Sequence, residues 1–136
     1  MINTRILLII IFVFVVDLIW VGKITRTKWD INIENIQGIP LKPNTTFAIL
    51  SYICLIGGLI YFVQNESQIN KNNYIQKSLI NGAIFGLVVY GVYDLTNLSL
   101  FKNWNINLAI TDIIWGMLLC SIIPLIANHI YYKWII

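Results

Sequence analysis

An all-α bundle of four membrane-crossing helices, with antiparallel neighbours and no soluble domain, is the fold class this sequence predicts. Three observations predict it. Only 11% of the 136 residues are charged while 58% are hydrophobic, and the mean hydropathy is +0.76. A soluble domain usually carries about 25% charged residues, so there is too little polar surface here to cover a globule in water. Four apolar runs approach the ~20 residues a helix needs to cross a bilayer. No stretch rich in Pro, Gly or Ser divides the chain, so residues 1–136 read as a single integral membrane domain whose first partner is the lipid bilayer.

The spans fall at about 6–24, 45–63, 78–100 and 106–127. The first, "ILLIIIFVFVVDLIWVG" from Ile6 to Gly22, exceeds the ~7–15 apolar residues of a signal peptide and lacks a small-residue cleavage motif. It therefore reads as an uncleaved span. Residues 24–43 form the longest connection, with mixed charges, amphipathic alternation and two prolines, suited to a short strand or helix at the interface. The second span, "TTFAILSYICLIGGLIYFV", follows Pro43, a residue suited to a helix start. Residues 64–77 are a polar hairpin connection. Residues 101–105, "FKNWN", are a tight turn that makes the last two spans antiparallel neighbours.

With four spans, both termini share a face with the 64–77 connection. That face carries Arg5, Lys71, Lys77 and Lys133 against Lys23, Arg26, Lys28, Lys42 and Lys102 on the other. The near-equal split gives the positive-inside rule little to act on; the termini are placed on the cytoplasmic side. A net charge of +3 without clustered bases argues against nucleic-acid binding. Cys54 and Cys120 sit in apolar runs with no CxxC and no nearby histidine, which suits buried hydrophobes rather than a disulfide or a zinc site. His129 is a single interfacial histidine. No Ser-His-Asp set, HExxH, Walker loop or GxGxxG is present, and neither a metal set nor a cofactor is implied.

Three aspartates interrupt this apolar frame. Asp17 lies in the far half of the first span, Asp94 near the far end of the third, and Asp112 about one and a half turns into the fourth. At 1.5 Å per residue each falls on the order of 8–12 Å from the same membrane face. "VVDLIWVG" and "ITDIIWGM" share an Asp followed at i+3 by Trp, so Trp20 and Trp115 should each stand beside their own aspartate. Tyr90, Asp94 and Asn97 share a face of the third span. Gly82, Gly86, Tyr90 and Asp94, spaced by four, form a small-residue stripe that leads to the acid.

An aspartate at mid-helix costs roughly 2.5–3.5 kcal/mol on insertion, so these side chains should face inward. Packed together, they need a shared proton or a cation among them; Lys23 and Lys102 are candidate counter-ions. Asp17, Asp94, Asp112, Asn97, Tyr90, Trp20 and Trp115 make up the candidate binding site. The plainer reading of the acids is a hydrogen-bonded lock between helices. Trp20, Trp29, Trp104, Trp115 and Trp134 all lie near span ends, where aromatic belts form.

"GAIFGLVVYGVYDLTNLSLFKNW" followed by "TDIIWGMLL", with "VVDLIWVG" in the first span, resembles the membrane-protein family named domain of unknown function 2177. The resemblance covers essentially the whole chain. It implies a four-helix membrane protein and carries no established activity. Three functions compete: a permeation or binding unit for a proton, cation or small cationic solute, which needs a homo-oligomer to enclose a pathway; a membrane enzyme acting on a lipid or isoprenoid; and a structural assembly protein.

Overall fold

Asparagines start three of the helices. In the computed structural model, which describes residues 3–65 and 69–135, Asn3, Asn44 and Asn105 hold extended backbone. Each accepts, through its side-chain oxygen, from the first free N–H groups of the helix that follows. The helices are α1 (Thr4–Ile19), α2 (Arg26–Gln37), α3 (Thr45–Gly58), α4 (Tyr74–Leu100) and α5 (Ile106–Ile130). α1, α3 and α5 run on into π-helical turns at Trp20–Ile24, Leu59–Val63 and Tyr131–Ile135. Four segments are thereby long and apolar enough to cross a membrane: Thr4–Ile24, Thr45–Val63, Tyr74–Leu100 and Ile106–Ile135. There is no strand among the described residues. Of the polar connection over 64–77, residues 66–68 lie outside the described residues.

The connection over 24–43 holds a helix, α2, and no strand. α2 ends at Gly38, whose φ of 76° is left-handed and whose N–H closes onto the Glu34 carbonyl. Its exposed Arg26–Asp30 pair, at 2.8 Å, adds little. Docking matters more. The Trp29 ring packs against Trp104 with centroids 5.6 Å apart, and the buried Asn32 accepts through Oδ1 from the Asn105 N–H at 3.1 Å. α2 is thus held against the turn between α4 and α5.

α4 and α5 form the tightest pair, and their sequences explain it. Ser78, Gly82, Gly86, Tyr90 and Asp94 on α4 face Asp112, Gly116, Cys120, Pro124 and Asn128 on α5, two stripes spaced by four and running in opposite directions. A Cβ at Gly82 would strike the Cys120 carbonyl and stand 2.6 Å from the Ser121 Cα. One at Gly86 would strike Gly116 and stand 2.7 Å from the Met117 Cα. Without side chains at these points the backbones touch, which is how helices associate where lipid removes the hydrophobic drive.

α1 crosses α5 antiparallel, with Arg5 donating to the Tyr132 hydroxyl (3.3 Å) near one end and Asp17 meeting Trp115 near the other. Ile9, Val13, Leu59, Val63, Leu119, Cys120, Ile123 and Ala127 fill the centre. α3 is different. No residue of Thr45–Gly58 is buried, whereas Leu59 and Val63 in the turn beyond it are. α3 is therefore anchored at the end near the termini and stands off the bundle at the end near α2.

Candidate functional site

Asp94 is the most enclosed of the three acids, at 0% exposure. The α4–α5 turn closes through the Trp104 N–H to the Phe101 carbonyl at 3.1 Å. That fold-back delivers the Trp104 indole, which donates from Nε1 to Asp94 Oδ1 at 3.2 Å. Asp94 Oδ2 finds no donor. The Asp94 carboxyl neighbours that of Asp112, itself 8% exposed. Ionised carboxylates only accept, so two of them bond to each other only through a proton.

Asp17 is separate and fully satisfied. Tyr52 donates its hydroxyl to Oδ2 and Trp115 its Nε1–H to Oδ1, each at 2.8 Å. This corrects the expectation that each tryptophan serves its own aspartate. Trp115 of α5 serves Asp17 of α1, while Trp20 lies toward Asp112 without a bond to its buried Nε1. The cause is helix geometry. α1 and α5 run antiparallel, so the step from an aspartate to the tryptophan three residues on points in opposite directions along them, and the aspartate of one helix comes level with the tryptophan of the other. There Trp20 and Trp115 stack, with centroids 4.2 Å apart and planes 5° from parallel.

Between these groups lies a cavity of about 360 Å³. Asp17 and Asp112 stand in its wall with Tyr52, Tyr90 and Tyr93, and Ser51 lies at the edge of α3. Exposed Ser51, Val89 and Tyr93 form a mouth between α3 and α4, where α3 stands away from the bundle.

Asp17, Asp112 and Tyr90 thus line one cavity and Asp94 backs Asp112, while Trp20 and Trp115 stack on each other outside the cavity's lining. Asn97 is not among them; it lies one turn further along α4, half-buried beside Tyr93. The acids form a pair plus one rather than a triad. Among the described residues no three acids, cysteines or histidines gather as a metal set, and neither Lys23 nor Lys102 pairs with the aspartates.

Sequence reasoning missed Tyr52 and Trp104, and placed Tyr93 only beside the face of Tyr90 and Asp94. The span-end position of Trp104 suits an interfacial belt, yet it is buried and holds Asp94; its place in the tight turn that ends the helix carrying this acid, ten residues on, is the available signal. It also missed a polar knot at the opposite end. There the buried Asn128 donates to Gln64 Oε1 at 2.8 Å and to Ser78 Oγ at 3.0 Å. Tyr74 and His129 meet nearby at 2.9 Å. Extending the four-residue stripes to Ser78 and Asn128 would have found that contact.

Four long apolar helices with carboxyl groups turned inward define an integral, multi-pass membrane protein. The chain belongs to the family described as predicted membrane protein (DUF2177), whose family model matches residues 2–129. No curated protein and no solved structure matches it.

Proposed function

We propose that this protein binds a proton at the Asp94–Asp112 pair and exchanges it for a small cationic solute held in the adjoining cavity. The observation that carries the reading is the buried Asp94 carboxyl, whose Oδ2 has no donor and which neighbours a second carboxyl. A shared proton satisfies both acids, and so does a cation. The cavity suits the second occupant. Tyrosine faces attract cations through their quadrupoles, and Asp17 and Asp112 both stand in the wall of a volume of about 360 Å³. Four helices are few to enclose a path, so passage through the membrane requires a homo-oligomer; binding alone does not.

Binding of radiolabelled tetraethylammonium to the protein in lipid nanodiscs tests the reading. Asp112→Asn and Asp17→Asn should each weaken it by at least about tenfold, because removing one buried charge partner costs a few kcal/mol. Acidification should release the probe, since protons compete for the same carboxylates. Equal binding by wild type and both variants contradicts the reading, and a change confined to thermal stability assigns the acids to helix locking.

The lateral mouth between α3 and α4 favours one further reading, a membrane enzyme admitting a lipid or isoprenoid from the side. It requires turnover of such a substrate to stop in the same two variants.

A further inference from the structure

A second cavity lies outside the aspartate site, on the end of the bundle where α2 docks. It encloses about 540 Å³ between α2, the α4–α5 turn and the start of α5. Its wall is amide-rich, with Asn32 and Asn35 from α2, Asn103 from the turn, and Asn107 from α5. Lys28 stands in the same wall, and no acid does.

Two independent features point to a ligand that accepts hydrogen bonds and carries negative charge. The first is the N-terminus of α5, a 25-residue helix. Asn105 caps it by accepting from the Leu108 N–H, and the Ala109 N–H reaches the Asn105 carbonyl. The helix dipole and the preceding N–H groups are left facing this end. The second is Asn32. It is 6% exposed and its Oδ1 is used on the Asn105 N–H. Its Nδ2 has no acceptor, although an unsatisfied buried donor is costly. The cavity wall it belongs to contains no carboxylate to supply one.

We propose that this cavity binds a phosphate group, with Asn32 Nδ2, the α5 N-terminus and Lys28 as its donors. The position fits a headgroup. Lys28 lies just past a span that ends at Ile24, and α5 begins its crossing at Ile106, so the cavity sits at the level where lipid phosphates lie and juxtamembrane bases meet them. The phosphate can belong to an anionic phospholipid or come free from solution, and the same donors would hold either.

Native mass spectrometry of the full chain in detergent reads the site, with phosphatidylglycerol, diacylglycerol and inorganic phosphate as separate probes. Phosphatidylglycerol should be retained in preference to diacylglycerol. Lys28→Gln should lower its retention about fivefold, the effect of one lysine near an anionic headgroup. Asn35→Leu, which fills the cavity without changing charge, should lower it by a similar factor. Lys42→Gln, a charge change on the same face away from the cavity wall, should leave retention unchanged. All three positions are exposed, so the variants should fold, and circular dichroism checks that they do. Displacement of the lipid by inorganic phosphate assigns the site to phosphate from solution; persistence against it assigns the site to a lipid headgroup. Equal retention of diacylglycerol overturns the proposal. So does an effect of Lys28→Gln matched by Lys42→Gln and absent in Asn35→Leu, because that pattern is surface charge alone.

Discussion

At the scale of single residues, the two oxygens of Asp94 set the most informative contrast. Oδ1 has an indole donor and Oδ2 has none. Asp94→Asn supplies an N–H toward Asp112 while keeping an oxygen for Trp104, so the variant should be at least as heat-stable as wild type in detergent while losing proton-linked binding. Trp104→Phe removes the donor and leaves a buried carboxyl with no partner but another carboxyl. That change should cost about 1–3 kcal/mol, the usual penalty for a stranded buried polar group, and should lower the melting temperature. Tyr52→Phe takes one of two donors from Asp17; it should destabilise by about 1 kcal/mol, the net worth of one hydrogen bond, with weaker tetraethylammonium binding. Asp17, Asp94 and Asp112 were legible as a group because an acid in an apolar run is costly wherever it points. Their donors were not. Tyr52 and Trp104 carry no such penalty in lipid, and nothing in the spacing of a linear chain says which helix an indole will cross to.

At the scale of elements, the α4–α5 seam is set by what its glycines lack. Gly86→Ala places a methyl against the Gly116 backbone and should prevent the two helices from reaching their native separation. A loss of several kcal/mol is expected, within the range of severe overpacking and strain, read as loss of the monodisperse peak in size-exclusion chromatography. Gly57→Ala is the internal control, since a Cβ there meets nothing within 4 Å. This seam was visible in the four-residue spacing of Gly82, Gly86, Tyr90 and Asp94, a property of one helix that any partner would feel. α2 was only half visible. Alternating residues within 24–43 suit either a strand or a helix, and the choice was made by Trp29 and Asn32 finding Trp104 and the end of α5. The standoff of α3 could not be read at all, because an apolar run of 19 residues looks the same packed against protein or against lipid.

At the scale of the whole molecule, the protein is polarised along its long axis. One end is closed by the buried Gln64–Ser78–Asn128 contact and by the anchored turn of α3, over an apolar core. The other end holds the carboxyl pair, the tyrosine-lined cavity and the amide-rich cavity beneath α2. Trp104 belongs to both sites there, standing in the wall of one and donating to Asp94 in the other. On the proposed reading this end is occupied reversibly near one membrane face, beside the close-packed α4–α5 pair and the standoff of α3. On that reading, two aspartates from different helices hold one proton between them until a cation replaces it. Infrared difference spectroscopy of the protein in nanodiscs at neutral pH measures this directly, through the carbonyl stretch of a protonated carboxylic acid. The band should be present in cation-free wild type, vanish when tetraethylammonium is added, and be missing from Asp94→Asn and Asp112→Asn. Cation-free wild-type protein without that band, or a band unmoved by either substitution, would contradict it.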